Sequence, residues 1–181
     1  MPMSSITAAA PDLPTAASPV VTADRFLAGM RLFASGCAIV AARHGTDRAG
    51  LTATALCSVT ADPPQLLVCV NRKVRAHALI SDSRALSVNV LANSHEPVAK
   101  RFAGMVEGVA AEDRFLGSDW GTAITGAPIL KDALFSFDCR VVETIPTSTH
   151  SLFLCTVVDA VVADPDATPL LYFNGRFAAV S

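Results

Sequence analysis

The chain has 181 residues, 51% hydrophobic and only 17% charged, with a formal net charge of −2. That is enough for one domain with a sizeable core, and it offers no electrostatic case for nucleic acid or a membrane surface. The longest apolar runs are of strand length and are broken by Thr, Asp or Pro, which excludes a transmembrane helix; the surplus apolar surface points instead to a homodimer interface.

Residues 1–20 mix Ala, Pro, Ser and Thr without periodicity and read as a flexible N-terminal arm, with neither a basic segment nor the apolar stretch of a signal peptide. One domain is expected over residues 21–181. Thr22 suits an N-cap for a helix over Ala23 to Ala34, with Phe26, Leu27, Met30 and Phe33 as an apolar stripe and Ser35-Gly36 as its stop. Cys37 to Ala42 reads as a buried strand. His44-Gly45-Thr46-Asp47 is a hairpin-type turn into the stretch Gly50 to Thr60. Read with a period of two, that stretch has Leu51, Ala53, Ala55, Cys57 and Val59 on one face and Thr52, Thr54, Leu56, Ser58 and Thr60 on the other. A row of short hydroxyls without charge lets a flat polar ligand lie close to the backbone. It equally suits a strand that is Thr-rich for β-propensity alone.

Asp62-Pro63-Pro64 closes that stretch. Gln65 to Asn71 follows as a strand whose Leu-Leu-Val-Cys-Val core suggests burial on both faces. Arg75 to Ser81 is expected to be a short helix, Leu86 to Leu91 a strand and Glu96 to Phe102 another short helix. Gly104 to Gly126 is irregular, a surface excursion and a candidate site cover. Phe135, Phe137, Cys139 and Val141 alternate with Ser136, Asp138 and Arg140, an amphipathic strand. Ser151 to Val162 is apolar on both faces. Leu170 to Phe173 and Arg176 to Val180 flank Asn174-Gly175, the strongest two-residue hairpin signal in the chain. Many strands, few long helices and no regular strand–helix alternation predict a mainly β, antiparallel barrel with a few short helices; without a G-x-G-x-x-G there is no case for a Rossmann domain. The five cysteines are widely spaced with no C-x-x-C pair, and the four histidines are scattered. Both fit buried thiols in a reducing, cytoplasmic setting better than zinc or disulfides.

Thr52 through Thr60 with Pro63-Pro64, Leu67-Val68-Cys69-Val70-Asn71-Arg72, Val88-Asn89-Val90-Leu91, Arg101-Phe102-Ala103 and Pro169-Leu170-Leu171-Tyr172 with Gly175 resemble, in order, the short-chain flavin reductases. These are the reductase components of two-component flavin-dependent monooxygenases, including those acting with 4-hydroxyphenylacetate and nitrilotriacetate monooxygenases. The resemblance runs from about residue 24 to the C-terminus. It implies an FMN-binding split β-barrel of Greek-key type, usually a homodimer, that reduces FMN or FAD with NADH or NADPH. It also implies that reduced flavin is supplied to a partner oxygenase.

By position, the resemblance lays the isoalloxazine ring on Thr52, Ala53, Thr54, Ala55 and Leu56, with Ser58 less firmly included and Cys57 in the core. It brings Asn71, Arg72, Lys73 and Arg75 toward the flavin phosphate, which Arg can clamp bidentately; the alternative is a solvated basic turn. Relatives often carry serines where Lys73 and Val74 stand. Arg101 and Phe102 are candidates for the phosphate or ring edge, with core packing the other reading for Phe102. His150 matches a histidine on the nicotinamide side, although Ser148-Thr149 replaces the Gly-Asp pair that relatives often show before it, removing a carboxylate that would orient the ring. His77 and His95 carry no assigned role. A non-catalytic flavin-binding protein on the same barrel is the alternative function. A pyridoxamine-phosphate-oxidase-like activity lacks the basic C-terminal segment it would need around Arg176, and a purely structural dimeric barrel would bind no flavin.

Overall fold

The structure, a computed structural model, describes residues 21–162 and 166–180; the expected N-terminal arm lies outside them. Helix α1 spans Ala23–Arg31, and the Thr22 hydroxyl accepts a hydrogen bond from the Arg25 N–H at 3.3 Å, as the N-cap reading requires. It ends three residues before Ala34 because the Leu32 N–H turns back onto the Gly29 carbonyl at 3.0 Å. Its apolar stripe faces solvent: Phe26, Leu27, Met30 and Phe33 are 59, 55, 48 and 66% exposed, and no residue of α1 is buried.

Strand β1 (Ser35–Gly36) leads into β2 (Ala38–His44) and β3 (Asp47–Ala53), joined by the Gly45-Thr46 turn, in which Gly45 adopts φ +59°. Then come β4 (Leu56–Ala61), β5 (Pro64–Asn71), α2 (Arg75–Ser83), β6 (Ala85–Val90) and α3 (Glu96–Phe102). The excursion carries a 3₁₀ turn over Glu112–Phe115 and the short pair β7 (Trp120–Thr122) and β8 (Pro128–Leu130). The long hairpin of β9 (Phe135–Pro146) and β10 (His150–Val162) follows, then β11 (Leu170–Phe173) and β12 (Arg176–Ala179). Asn174 and Gly175 both have positive φ, 50° and 77°, the signature of the predicted two-residue hairpin.

Seven strands form one antiparallel sheet in the order β3-β2-β6-β9-β10-β5-β4. Its two edge strands, β3 and β4, are separated in the chain only by Thr54-Ala55, so the sheet curls round until its edges meet: a split β-barrel. The Ala55 carbonyl accepts from the Cys69 N–H at 3.0 Å and so belongs to the β4 side; Thr54 spans the split.

This break corrects the reading of Gly50 to Thr60 as one strand with two continuous faces. Before the split, Leu51 and Ala53 pack on the barrel core; after it, Leu56 does, opposite Val68. The two-residue link shifts the alternation by one, so Cys57 is exposed rather than core. In β5 only Leu66, Val68 and Val70 are fully buried and the other face is half-buried, so the expectation of burial on both faces fails there as well. In β10, apolar on both faces in sequence, burial alternates through Ser151, Phe153 and Cys155.

Val40, Val68, Val70, Ile80, Leu86 and Phe153 fill the barrel, under α2. A second cluster of Ile39, Leu91, Phe102, Phe115, Leu130 and Leu170 lies on the other face of β2, beneath α3 and the excursion. Along β9, Cys139 and Val141 are buried and Arg140 exposed as expected, but at its start the second layer buries the polar face as well. Ser136 and Asp138 are 2 and 1% exposed, the Ser136 hydroxyl donating to Asn89 Oδ1 at 2.9 Å and the Thr125 N–H donating to Asp138 Oδ2 at 2.7 Å. Asn89 Oδ1 also accepts from the Leu130 N–H at 2.8 Å, and its Nδ2 donates to the Ile39 carbonyl at 3.1 Å. Buried polar side chains thus tie β8 and the loop before it to the outer face of the barrel, with their hydrogen-bonding capacity met inside. The excursion is correspondingly less loose than its sequence suggests. Phe115 is buried in it, 5.0 Å from the Phe102 ring and 4.9 Å from Trp120.

Candidate functional site

A cleft opens where the barrel splits. Thr52 and Thr54 line it together with Cys37, Ala103, Met105, Tyr172 and Phe177, around a cavity of about 180 Å³. Past Thr54 and Tyr172 it continues into a hollow of about 260 Å³ walled by Leu27, Met30, Arg31 and Phe33 of the α1 region. Past Thr52 and Ala103 it continues into one of about 390 Å³ lined by Leu51, Val74, Arg75, Phe102, Ala111 and Arg114, among others. Leu56 lines a further hollow beside Thr54. Because β3 is a sheet edge paired only with β2, alternate peptide groups of residues 50–53 face the cleft unpaired by the sheet.

Local sequence explains how α3 comes to border this edge. Gly50 lies so close to the Phe102 ring that a Cβ there would sit 2.8 Å from its Cε1 and 3.1 Å from the Val40 carbonyl oxygen. The Thr52 hydroxyl donates to the Ala99 carbonyl at 2.6 Å, bracing α3 and committing its proton; toward a ligand that oxygen can only accept. Thr54 is exposed and no protein bond holds its hydroxyl among those of the described residues, so it remains a donor.

The other expected site residues fall in four places. Arg75 stands at the start of α2 with its Nη2 2.9 Å from Asp47 Oδ2, facing the 390 Å³ hollow. Phe102 contributes a wall there but is 1% exposed, a core residue that also borders the site. Arg101 turns toward the excursion, donating to the Leu116 carbonyl. Asn71, Arg72 and His150 gather at the adjoining ends of β5 and β10. Asn71 pairs with His150 across the sheet, its Oδ1 accepts from the Lys73 N–H at 2.9 Å, and the Arg72 N–H donates to the Thr149 carbonyl at 3.0 Å. The Thr149 hydroxyl lies 2.8 Å from His150 Nδ1 and orients the imidazole. Ser58 is not brought to the cleft. The shift at the split turns it toward a separate groove with Thr60, Gln65, Phe137 and Val157.

Sequence reasoning passed over Cys37, Met105, Arg114 and Phe177 as lining residues. Only the basic charge of Arg114 within an acidic excursion set any of them apart. Burial pushes the Cys37 thiol up to about 11, so it stands in the cleft as a neutral small group. Burial, and then the Arg72 guanidinium, lower the pKa of His77, whose Nε2 is 2.9 Å from the Ser151 hydroxyl. No cluster of three or more metal-ligating side chains occurs among the described residues. The arrangement offers a flat, uncharged ring pocket with a donor at Thr54, an aromatic wall, and guanidinium groups at one end.

Residues 30–181 match the family model described as a flavin reductase like domain. The chain is 43% identical over 139 residues to the FMN reductase (NADH) RutF of Agrobacterium fabrum, covering 77% of this chain and 78% of that protein. Among solved structures it is similar to the flavin reductase PheA2, with a TM-score of 0.80 and 27% identity over 89% of this chain and 99% of that one. It is also similar to BorF, the flavin reductase component of a bacterial two-component tryptophan halogenase, with a TM-score of 0.77 and 29% identity over 87% of this chain and 98% of that one.

Proposed function

The chain belongs to the flavin reductase-like family, and on that premise we propose that it reduces FMN with NADH in the cleft at the barrel split, within a domain spanning residues 21–181. It is an NAD(P)H:flavin oxidoreductase of the kind that supplies reduced flavin to a separate oxygenase component. The carrying observation is the junction of the two sheet edges at Thr54, where an unpaired strand edge, a free hydroxyl and an aromatic wall meet. The short side chains of Thr54 and Ala55 at the split let a flat ring approach the backbone, and the arginine-bearing hollow beyond Thr52 suits the ring's phosphate tail.

Bound flavin and nicotinamide nucleotide would supply the chemistry, hydride transfer from nicotinamide C4 to flavin N5. The chain's own part is to hold the two rings at roughly 3–3.5 Å and keep water out. Thr54 and the free N–H groups of β3 donate to the polar edge of the flavin, favouring the charge that it gains on reduction. Tyr172, Phe177 and Met105 shield the ring plane. Arg75 meets the phosphate, with Asn71 and Arg72 shaping the turn that presents it, while Arg101 secures the excursion that covers that end. His150 lies on the nucleotide side, positioned by Thr149. No side chain has to give or take a proton during hydride transfer, in keeping with the neutral Cys37 beside the ring pocket.

The exposed apolar face of α1 supports a homodimer, with α1 in the interface beside the cleft. Among the described residues no helix is long and apolar enough to cross a membrane; with five free cysteines, that supports a cytoplasmic setting. Anaerobic stopped-flow mixing with FMN or FAD and with NADH or NADPH tests the activity. Rapid protein-dependent bleaching of FMN by NADH is expected. Tight flavin binding without bleaching by either nucleotide would leave a non-catalytic flavin-binding protein.

A further inference from the structure

We propose that Arg114, carried on the excursion, forms with Arg75 a clamp for the terminal phosphate of FMN, and that the wall holding Arg114 turns FAD away. The inference rests on the flavin reading of the cleft and adds the residue that reads the phosphate. The 390 Å³ hollow adjoins the ring pocket through Thr52 and Ala103, which line both, and Arg75 and Arg114 are its two charged lining residues. One bond steadies each guanidinium: Arg75 Nη2 to Asp47 at 2.9 Å, and Arg114 Nη1 to the Phe102 carbonyl at 3.2 Å. A guanidinium carries five N–H donors, so both keep donors for an anion. Arg114 Nε, like Arg101 Nε and Trp120 Nε1, is buried without a protein partner. Val74, at the N-cap of α2, makes no side-chain cap bond, so the first peptide N–H groups of α2 border the same hollow uncapped by a side chain.

The chemistry separates FMN from FAD. A terminal phosphomonoester carries about two negative charges and three free oxygens, which two forked cations match. In FAD the same phosphorus is one half of a pyrophosphate bridge and carries one charge, and the chain must continue outward to an adenylate. Ala111 and Arg114 wall this hollow, and the 3₁₀ turn that carries Arg114 is anchored by buried Phe115, so an adenylate would have to pass a fixed wall.

Titrations of FMN, FAD and riboflavin into the full chain and into Arg114→Gln and Arg114→Lys test this. The wild type is expected to bind FMN about tenfold or more tightly than FAD. Arg114→Gln should weaken FMN about tenfold while leaving riboflavin affinity unchanged, and Arg114→Lys should restore part of the loss. Unchanged FMN affinity in Arg114→Gln, or equal losses for FMN and riboflavin, overturns the clamp, and equal wild-type affinity for FMN and FAD overturns the selection. A wild type that binds none of the three overturns the flavin reading itself, a distinct result.

Discussion

Thr52 and Thr54 are two residues apart and look alike in sequence, yet the structure gives them different work. Thr52 spends its proton on the Ala99 carbonyl, whereas Thr54 stands exposed in the split. Thr52→Val should therefore cost about 0.5–1.5 kcal/mol of stability. Thr54→Val should leave the melting temperature unchanged but raise the FMN dissociation constant or slow its reduction; denaturation curves beside anaerobic flavin reduction separate the two. His150 is held by Thr149 among Asn71 and Arg72, away from the β3 edge. His150→Ala is expected to raise the KM for NADH by up to about tenfold while flavin titrations stay near wild type; collapse of flavin binding with unchanged NADH dependence would move His150 to the flavin side. His77 carries the pH dependence. Its pKa is lowered in the folded chain, by burial first and Arg72 second, so the unfolded chain binds the extra proton first. Its stabilising contribution is complete above the ordinary histidine value of about 6.5 and is lost as pH falls through the lower folded value. Melting temperatures of the wild type should thus drop more steeply than those of His77→Asn below about pH 6.5.

Among the elements, the contact of β3 with α3 sets the width of the cleft. Gly50 is the residue that allows it, since any Cβ would press on the buried Phe102 ring and on the Val40 carbonyl. Gly50→Ala should destabilise the chain by about 1–3 kcal/mol and, by pushing α3 outward, weaken FMN binding as well. Chemical denaturation and a flavin titration on the same variant check both effects; a variant of normal stability would mean that α3 yields freely. The excursion behaves as an element in its own right. Phe115 and Trp120 pack on Phe102, Arg48 lies 4.4 Å over the Phe115 ring, and Asp138 and Asn89 hold the following loop. A segment that reads as irregular in sequence is thereby fixed well enough to place Met105 and Arg114 on the cleft.

For the molecule as a whole, the uncovered surface is the telling feature. Every large apolar side chain of α1 is exposed, and so is Val59 on the edge strand β4. A second copy seated over α1 would bury the former and close the hollow beside Thr54. Phe26→Glu, which changes a residue outside the cleft lining, is expected to shift sedimentation from dimer to monomer. A wild type that sediments as a monomer would reject the homodimer.

By itself the sequence determined most of the elements, though not the break between β3 and β4 or the pair β7 and β8, because hairpin turns such as Gly45-Thr46 and Asn174-Gly175, the Thr22 cap and strand periodicity are local signals that tertiary contacts reinforce here. It also marked the Thr52 to Leu56 segment and the Arg72 to Arg75 turn, through an ordered likeness to flavin reductases. Tertiary structure alone decided which side chains face which way. The split at Thr54 shifted the alternation and exposed Cys57, and the second core layer buried Ser136 and Asp138 where amphipathicity pointed them outward. It also decided that Arg114 reaches the hollow of Arg75, a meeting across nearly forty positions of chain. Periodicity reports which residues share a face, but the partner packed on each face is chosen by distant segments, and no local pattern encodes that choice.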